Sequence, residues 1–321
     1  MYQHIQLINR AKSLGIKVTD VSSIMDTQFA VLEYQGITEL VREGVPTSWI
    51  NLRSQFYCDN KQLTKLAYEK LNIPHPKSIT FKSAEDAVLG VFLEQGQVYV
   101  CKPLDGTNGV GISTYIKNVD DIKKYYEECE ELATTFMLEE QVSGEDLRIH
   151  VLGGKIVAAC IRKPAFVVGN QGNTLNELIE KRRAEMQTQN PNNFLEIDRA
   201  TLELLEQQNI NLADRPKFGQ KIQLKKISNM AQGGVAIDVT NEIHQMYHDW
   251  VADLVEYLGT GYFGLDLMTL DHTIDPMKHS KVLEINARAD WLHHTFSKRQ
   301  THDIAGTILK ELFNVSNLIG L

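Results

Sequence analysis

The sequence predicts an α+β protein built from more than one lobe. Predicted helices and predicted strand pairs are mixed along the chain, without the regular alternation of strand and helix that is typical of one doubly wound sheet. The 321 residues are enough for two or three sub-domains with separate cores. A content of 43% hydrophobic and 23% charged residues is that of an ordinary globular protein.

The order of predicted elements supports this class. Apolar residues at helical spacing predict a helix over 4–14, and alternating segments at 16–21 and 28–34 complete a small α/β lobe. The stretch 59–71 is amphipathic, with Asp59 as its predicted N-cap. The later elements are helix 83–94, strand 97–103, helix 119–132, strand 135–139, a hairpin over 147–160 that turns at Gly153-Gly154, a polar helical region 174–212, helix 242–258, strands 262–270 and 281–286, and helix 303–313. We expect lobes at 1–57, 58–139 and 140–321, with a helical insertion near 174–226.

Composition excludes several classes of protein. The net charge of −8 and the absence of a basic stripe argue against a nucleic-acid-binding surface. No apolar run approaches the ~20 residues that a membrane-spanning helix needs, and residues 1–30 do not resemble a signal peptide. The four cysteines have no zinc-like spacing and are interpreted as small, mostly buried residues. We therefore expect a cytoplasmic protein without nucleic-acid or membrane partners.

A glycine-rich segment follows the strand that ends near Lys102. Gly106, Gly109 and Gly111 lie within six residues, with Asn108 between the first two. Such a loop can turn its backbone N–H groups inward and form a nest for anionic oxygens. A plain surface turn would also explain the loop, but Lys102 beside it favours a phosphate site.

Two apolar strands near the end of the chain carry oxygen-bearing side chains. Asp266 lies in one strand, while Glu284 and Asn286 lie on one face of the next, because side chains at i and i+2 point the same way. Carboxylates on a half-buried sheet are costly unless a cation neutralises them, and Mg²⁺ prefers oxygen ligands. A solvated strand face is the alternative, and we favour a magnesium site.

An acidic connector between two strands predicts a hinge between lobes. Its backbone could offer hydrogen-bonding groups to an adenine edge, and its carboxylates could bind ribose hydroxyls. The residues concerned are Glu139, Glu140, Gln141, Val142 and Asp146.

The order of these motifs resembles the ATP-grasp superfamily, and within it cyanophycin synthetase and the ATP-grasp half of bifunctional glutathione synthetases. The resemblance runs from about residue 50 to residue 313. The motifs are Asp59-Asn60-Lys61-Gln62-Leu63-Thr64-Lys65, Lys102-Pro103-Leu104-Asp105-Gly106, Ser143-Gly144-Glu145-Asp146-Leu147-Arg148, Gln232-Gly233-Gly234-Val235-Ala236-Ile237-Asp238-Val239-Thr240, and Asp266 followed by Glu284-Ile285-Asn286.

The resemblance implies an ATP-grasp fold, in which two α+β lobes grip ATP. It also implies that Lys61 and Lys102 contact phosphates beneath the glycine loop, that residues 139–142 meet adenine, that Asp146 meets ribose, and that Asp266, Glu284 and Asn286 hold two Mg²⁺ ions, or Mn²⁺ in their place. The implied reaction joins a small carboxylate to an amine through an acyl phosphate. We further expect a homodimer.

Two departures from the family pattern concern charged residues. Lys225-Lys226 replace an Arg-Arg pair before Asn229, and lysine cannot make a forked carboxylate contact. We assign Lys226 and Asn229 to the ATP site. Arg288 resembles the N-x-R of ATP-grasp carboxylases and is expected to stabilise the acyl phosphate or the tetrahedral intermediate; a contact with Glu284 is the alternative.

Four further residues are candidates for substrate contacts: Arg148, Arg162, Trp291 and His293. Because neighbouring residues in a strand point in opposite directions, at most one of His293 and His294 is expected to face the substrate. His244 and His248 at helical i,i+4 spacing are assigned to an exposed helix face and not to a zinc site.

The leading function is a glutathione-synthetase-like ligase that stands alone, without a fused second enzyme. The alternatives are a cyanophycin-like or other dipeptide ligase, a carboxylase suggested by Arg288 alone, and a non-catalytic ATP-binding regulatory module.

Overall fold

The computed structural model describes residues 1–25, 27–105 and 110–314. The chain forms two compact units, each assembled from separate segments. Unit 1 contains residues 1–49, 146–241 and those from 288 onward, and unit 2 contains 50–145 and 242–287. The predicted lobes 1–57, 58–139 and 140–321 stay a prediction. Within the described ranges, no helix is both long enough and apolar enough to cross a membrane.

The α-helices in chain order are α1 (Tyr2–Ser13), α2 (Leu52–Asp59), α3 (Lys61–Lys70), α4 (Ala87–Phe92), α5 (Val119–Cys129), α6 (Leu175–Gln189), α7 (Arg199–Gln207), α8 (Gln245–Leu258) and α9 (Ile304–Phe313). The strands are β1 (Lys17–Asp20), β2 (Phe29–Tyr34), β3 (Ile37–Arg42), β4 (Val45–Pro46), β5 (Ser78–Phe81), β6 (Tyr99–Pro103), β7 (Ser113–Ile116), β8 (Phe136–Glu140), β9 (Glu145–Leu152), β10 (Lys155–Lys163), β11 (Phe166–Val168), β12 (Lys221–Gln223), β13 (Val235–Asp238), β14 (Phe263–Thr269) and β15 (Ser280–Asn286).

Within the described residues, unit 1 contains three antiparallel arrangements, one of which is the short β11–β12 pair. Strands β1 to β4 pair in chain order, and β9, β10 and β13 pair with β10 in the middle. The predicted hairpin is confirmed: Gly153 and Gly154 both have positive φ at the turn between β9 and β10, where a residue with a Cβ would be strained.

The predicted helical insertion has its own core within unit 1. Helices α6 and α7 pack with the short β11–β12 pair around residues that include Leu175, Ile179, Leu205 and Ile222. A capping box between Thr174 and Glu177 starts α6. Helix α6 ends at Gln189, before Asn190, and α7 begins at Arg199.

Unit 2 is built on a four-stranded sheet in the order β5-β8-β6-β7. In its antiparallel register Val100 of β6 faces Glu139 of β8, and Lys102 faces Met137. Unit 2 also contains the antiparallel pair β14–β15. The predicted N-cap at Asp59 is wrong: Asp59 ends α2, and the side chain of Asn60 accepts the Leu63 N–H to start α3. A short additional helix therefore precedes the predicted one.

Candidate active site

A buried ion cluster in unit 2 holds two lysines on one carboxylate. Glu139 Oε1 lies 2.7 Å from Lys102 Nζ, and Glu139 Oε2 lies 2.6 Å from Lys65 Nζ. The three side chains are 4%, 10% and 3% exposed, respectively. Lys65 Nζ also donates to Pro76 O at 2.8 Å. Lys65, Glu139 and Lys102 are called the charge cluster below.

The electrostatics of the charge cluster keep its carboxylate ionised. Burial acts to raise the pKa of Glu139, but the charges of Lys102 and Lys65 outweigh it, and the pKa is lowered overall. Burial lowers the pKa of Lys65, while Glu139 opposes this effect. The two lysines carry two positive charges and Glu139 carries one negative charge. The charge cluster therefore has one excess positive charge, which a phosphate could neutralise.

Lys61 lies at the start of α3, one helical turn before Lys65. Its ammonium donates to Leu104 O at 3.3 Å, at the end of the strand that carries Lys102. Burial is the main cause that lowers the pKa of Lys61, and the negative charge of Glu284 acts to raise it. Unit 2 therefore brings Lys61 near Lys102 and near an acidic residue of β15.

Three oxygen-bearing side chains of unit 2 converge on β14 and β15. Asp266 faces Glu284 directly across the two strands, and the register slips immediately after this pair. The Asn286 amide lies 2.6 Å from Asp266 Oδ2 and 3.4 Å from Glu284 Oε1. Asp266 is only 6% exposed. These three residues are called the oxygen site.

The donor set of the oxygen site fits a magnesium ion. The two ends of an amide have nearly the same shape, so the orientation of Asn286 is an assignment from its neighbours. With its carbonyl oxygen turned toward the carboxylates, Asn286 completes three oxygen ligands, the type that Mg²⁺ takes. Two carboxylates and one amide leave room in the coordination shell for phosphate oxygens.

The residues of the predicted hinge make different contacts. The Glu140 carboxylate binds Lys281 at 2.9 Å and accepts the Lys77 N–H, and Gln141 Oε1 accepts the Tyr115 N–H at 2.9 Å. Val142 is half-buried. Because the Glu139 side chain is held in the charge cluster, an adenine contact from this position would have to come from the backbone.

Gly144 marks the end of this connector. Its φ is +139°, and a Cβ at this position would lie 2.5 Å from the carbonyl oxygen of Thr269. Only glycine lets the connector approach the end of β14 so closely.

Unit 1 gathers three other candidates on one strand face. Arg148 of β9, Asp146 of β9 and Arg162 of β10 share this face because they lie at i,i+2 or directly opposite positions. Arg162 donates from Nε and Nη2 to Asp146 Oδ1 at 3.0 and 2.6 Å. Arg148 is buried and donates to Asp290 O at 3.3 Å.

Several predicted site residues have structural contacts. Trp291 is fully buried, and its indole N–H donates to Gly44 O at 3.1 Å; this geometry favours a packing role.

Asn229 caps a short 3₁₀ helix by accepting the Ala231 N–H. Lys226 is exposed, whereas Lys225 is buried and lies 2.6 Å from Asp198. Arg288 is exposed.

The glycine loop is described only in part. Gly111 has a φ of +70° and packs against Pro103, and its carbonyl accepts the Tyr125 hydroxyl at 2.9 Å. The predicted phosphate contacts of Gly106, Asn108 and Gly109 lie outside the described residues.

Two histidines lie in a different element from the one expected. His293 and His294 belong to the 3₁₀ helix Leu292–Thr295 and not to a strand. Successive residues of a 3₁₀ helix are about 120° apart, not opposite, and the two rings have centroids 4.3 Å apart. The expectation that the pair points in opposite directions is therefore wrong. His244 accepts the Met246 N–H as the N-cap of α8.

Lys65 was not predicted as a site residue. The signal was present, because Lys65 is four residues after Lys61 and thus lies on the same face of the predicted helix. Its partner Glu139 is 74 residues further along the chain, and only the fold reveals that pairing.

Comparison with known proteins agrees with the resemblance. The chain is 30% identical over 269 residues to the cyanophycin synthetase of Trichormus variabilis, covering 80% of this chain and 29% of that protein. It is 28% identical over 317 residues to the glutathione biosynthesis bifunctional protein GshAB of Mannheimia succiniciproducens, covering 94% of this chain and 41% of that protein. The chain thus spans less than half the length of these relatives. No family model matches it.

Solved structures support the same conclusion. The crystal structure of a bifunctional glutathione synthetase from Pasteurella multocida matches 97% of this chain and 43% of its own, with a TM-score of 0.72 and 25% identity. The D-alanine–D-alanine ligase of Bacillus anthracis matches 82% of this chain and 69% of its own, with a TM-score of 0.50 and 15% identity, which bears on the fold alone. The chain has the ATP-grasp fold and belongs to the ATP-grasp superfamily.

Proposed function

We propose that this protein is an ATP-dependent carboxylate–amine ligase that forms an amide bond through an acyl-phosphate intermediate. The observation that carries the proposal is the composition of unit 2, where Lys61 and Lys102 accompany the oxygen site. Cations for phosphate and ligands for a hard metal ion are what transfer of a γ-phosphoryl group requires. The fold and the similar proteins support the same assignment.

Asp266, Glu284 and Asn286 would hold Mg²⁺, in two ions, with Mn²⁺ as a substitute. When bound, the metal ions neutralise negative charge on the phosphates and polarise the transferring group. The oxygen site supplies two carboxylates and one neutral oxygen for this purpose.

The lysines and the connector would position ATP. The charge cluster carries an excess positive charge and presents Lys102 from the end of β6, while Lys61 approaches from α3. Backbone groups of 139–142 would meet adenine, and Asp146 the ribose. The glycine loop, with Asn108, Lys226 and Asn229, would complete the phosphate site and exclude water from the acyl phosphate.

The reaction proceeds in two displacements. A substrate carboxylate oxygen attacks the γ-phosphorus, the bond to the β–γ bridging oxygen breaks, and ADP leaves. The amine then attacks the acyl carbon to form a tetrahedral intermediate, the nitrogen loses a proton to solvent, and the C–O bond to phosphate breaks. Arg288 would stabilise the charge of that intermediate.

The substrates belong to the class of small carboxylic acids and small amines. Arg148 and Arg162 provide positive charge on one face of β9 and β10, where a substrate carboxylate could compete with Asp146. His293 and Trp291 are the remaining candidates for substrate contacts. We also infer a homodimer and a cytoplasmic location; among the described residues no cysteine forms a disulfide, which agrees with a reducing compartment.

Release of inorganic phosphate tests the proposal. The protein is incubated with Mg²⁺ and ATP and with pairs drawn from γ-glutamylcysteine, single amino acids and dipeptides. We expect phosphate release that depends on one acid–amine pair, and a condensed product by mass spectrometry. Phosphate release that requires an acid–amine pair containing a dipeptide would favour the cyanophycin-like or other dipeptide ligase.

Variants of the oxygen site make the test specific. Glu284→Ala should lower turnover by at least about 10³-fold, because the metal loses a charged ligand. Glu69→Ala removes an exposed carboxylate of α3 in the same unit and should leave turnover unchanged. ATP binding without turnover for any pair would favour a regulatory module, and full ligation by Glu284→Ala would refute the mechanism.

A further inference from the structure

A second cluster of potential metal ligands lies in unit 1. It consists of Cys160 on β10 together with His293 and His294 of the 3₁₀ helix Leu292–Thr295. One ligand atom from each residue lies within 4.8 Å of the other two. The side chains are buried, at 0%, 3% and 0% exposure. These three residues are called the thiol–imidazole cluster.

The short helix that carries the two histidines is held at both ends. On one side the Trp291 N–H donates to Gln3 Oε1 at 3.0 Å. On the other side the His302 N–H donates to His294 O at 3.0 Å. The Trp291 indole N–H also donates to Gly44 O, which holds the residue immediately before the short helix in place. The imidazoles are therefore presented to β10 by a rigid frame, as a metal site requires.

His294 has an unusual environment for a polar side chain. Among the described residues, neither of its ring nitrogens has a hydrogen-bond partner, although the side chain is fully buried. Leaving a buried polar group without a partner destabilises the folded state. A metal ion bound to a ring nitrogen of His294 would give this buried ring the partner that it lacks among the described residues.

The surrounding charge determines which metal complex is possible. Arg148 faces Cys160 across β9 and β10, which places a fixed positive charge beside the cluster. A cation held by histidines alone would be repelled by this charge. A thiolate from Cys160 compensates this charge, so a site of mixed sulfur and nitrogen ligands is favoured.

We propose that Cys160, His293 and His294 form a zinc site. Zinc–sulfur and zinc–nitrogen bonds of about 2.3 and 2.0–2.1 Å place tetrahedral ligand atoms roughly 3.3–3.6 Å apart, so small side-chain rotations close the observed cluster onto an ion. Binding replaces the S–H bond of Cys160 by an S–Zn bond and releases the proton to solvent. The fourth position goes to water or to His150, whose ring centroid lies 5.7 Å from that of His294.

Zinc content is the direct test. Untagged protein is equilibrated with zinc sulfate in excess Mg²⁺, which occupies the oxygen site, then dialysed and analysed by mass spectrometry for metals. We expect about one equivalent of zinc per chain, retained by Cys101→Ser, which replaces another buried cysteine, and mostly lost from Cys160→Ser and His294→Leu. Wild-type protein without zinc, or Cys160→Ser with the wild-type content, overturns the proposal.

Cobalt replaces zinc in a second measurement that does not depend on folding of the Cys160 variant. Co²⁺ bound by a thiolate should add a near-ultraviolet charge-transfer band to the wild-type spectrum. The band should persist in single Ser variants of Cys58, Cys101 and Cys129, the other cysteines of the chain. Absence of the band from wild type, or its loss from one of these three variants, contradicts ligation by Cys160.

Discussion

The two buried polar clusters satisfy their members in opposite ways. In unit 2 the charge cluster balances Glu139 against two lysines at 2.6 and 2.7 Å, so each charge has an internal partner. In unit 1 the His294 ring of the thiol–imidazole cluster is fully buried, and no hydrogen bond to this ring forms within the described residues. The first cluster pairs its anion internally and keeps one excess positive charge, whereas the second contains the buried His294 ring, whose nitrogens have no hydrogen bond among the described residues.

The comparison shows two solutions to the cost of burying polar groups. A buried charge must be paired, because the desolvation penalty of an unpaired ion is several kcal/mol. A buried imidazole can instead stay neutral, at the smaller cost of missing hydrogen bonds. Substitutions in the charge cluster of unit 2 should therefore lower the free energy of unfolding strongly. Substitutions in the thiol–imidazole cluster of unit 1 should change it little when no metal is present.

The largest effect is expected from Glu139→Gln. This change leaves Lys65 and Lys102 buried without their anion, and breaking a buried ion pair typically costs about 3–5 kcal/mol in the free energy of unfolding. Urea denaturation at neutral pH followed by circular dichroism measures the loss. Glu140→Gln is the control, since its partner Lys281 is 40% exposed and an exposed pair contributes at most about 1 kcal/mol. A similar small loss in Glu139→Gln would show that water reaches the lysines.

The difference in unfolding free energy between wild type and Glu139→Gln should also depend on pH. The folded-state pKa of Glu139 lies below its usual value of 4.5, so the unfolded chain takes up the proton at higher pH than the folded chain. The stability that Glu139 contributes is fully present above pH 4.5 and is lost as the pH falls through the lowered folded pKa. We expect the gap in unfolding free energy between wild type and Glu139→Gln to be constant from pH 7 to about 5 and to shrink below that range. A gap that widens on acidification would contradict this assignment.

Local patterns were sufficient for part of the molecule. Strand alternation predicted that Glu284 and Asn286 share a face, and helical spacing predicted α1 and α3, because both periodicities depend on neighbouring residues. The direct pairing of Asp266 with Glu284 depends on the β14–β15 register and its irregularity, which no local pattern reveals.

The rest required the fold. Lys65 of α3 and Glu139 of β8 are 74 residues apart in the chain, and only the fold brings them together. His293 and His294 were expected in a strand, but the hydrogen bonds that hold Trp291 and His302 stabilise a 3₁₀ turn instead. Contacts between residues distant in sequence thus decided the elements that carry the second cluster.

The smallest effect is expected from His294→Leu in metal-free protein. Leucine has nearly the volume of histidine, and it removes the penalty of a buried imidazole without hydrogen bonds; imperfect packing offsets part of this gain. We expect the unfolding free energy, measured in urea with a chelator present, to change by less than about 1 kcal/mol in either direction.

His272→Leu is the comparison, because His272 lies 3.5 Å from Glu242 and is not part of the cluster. A loss above about 2 kcal/mol in His294→Leu would mean that the ring makes a stabilising hydrogen bond, and the contrast between the two clusters would fail. A near-zero result in chelator would show that the His294 ring adds little to the stability of the metal-free protein.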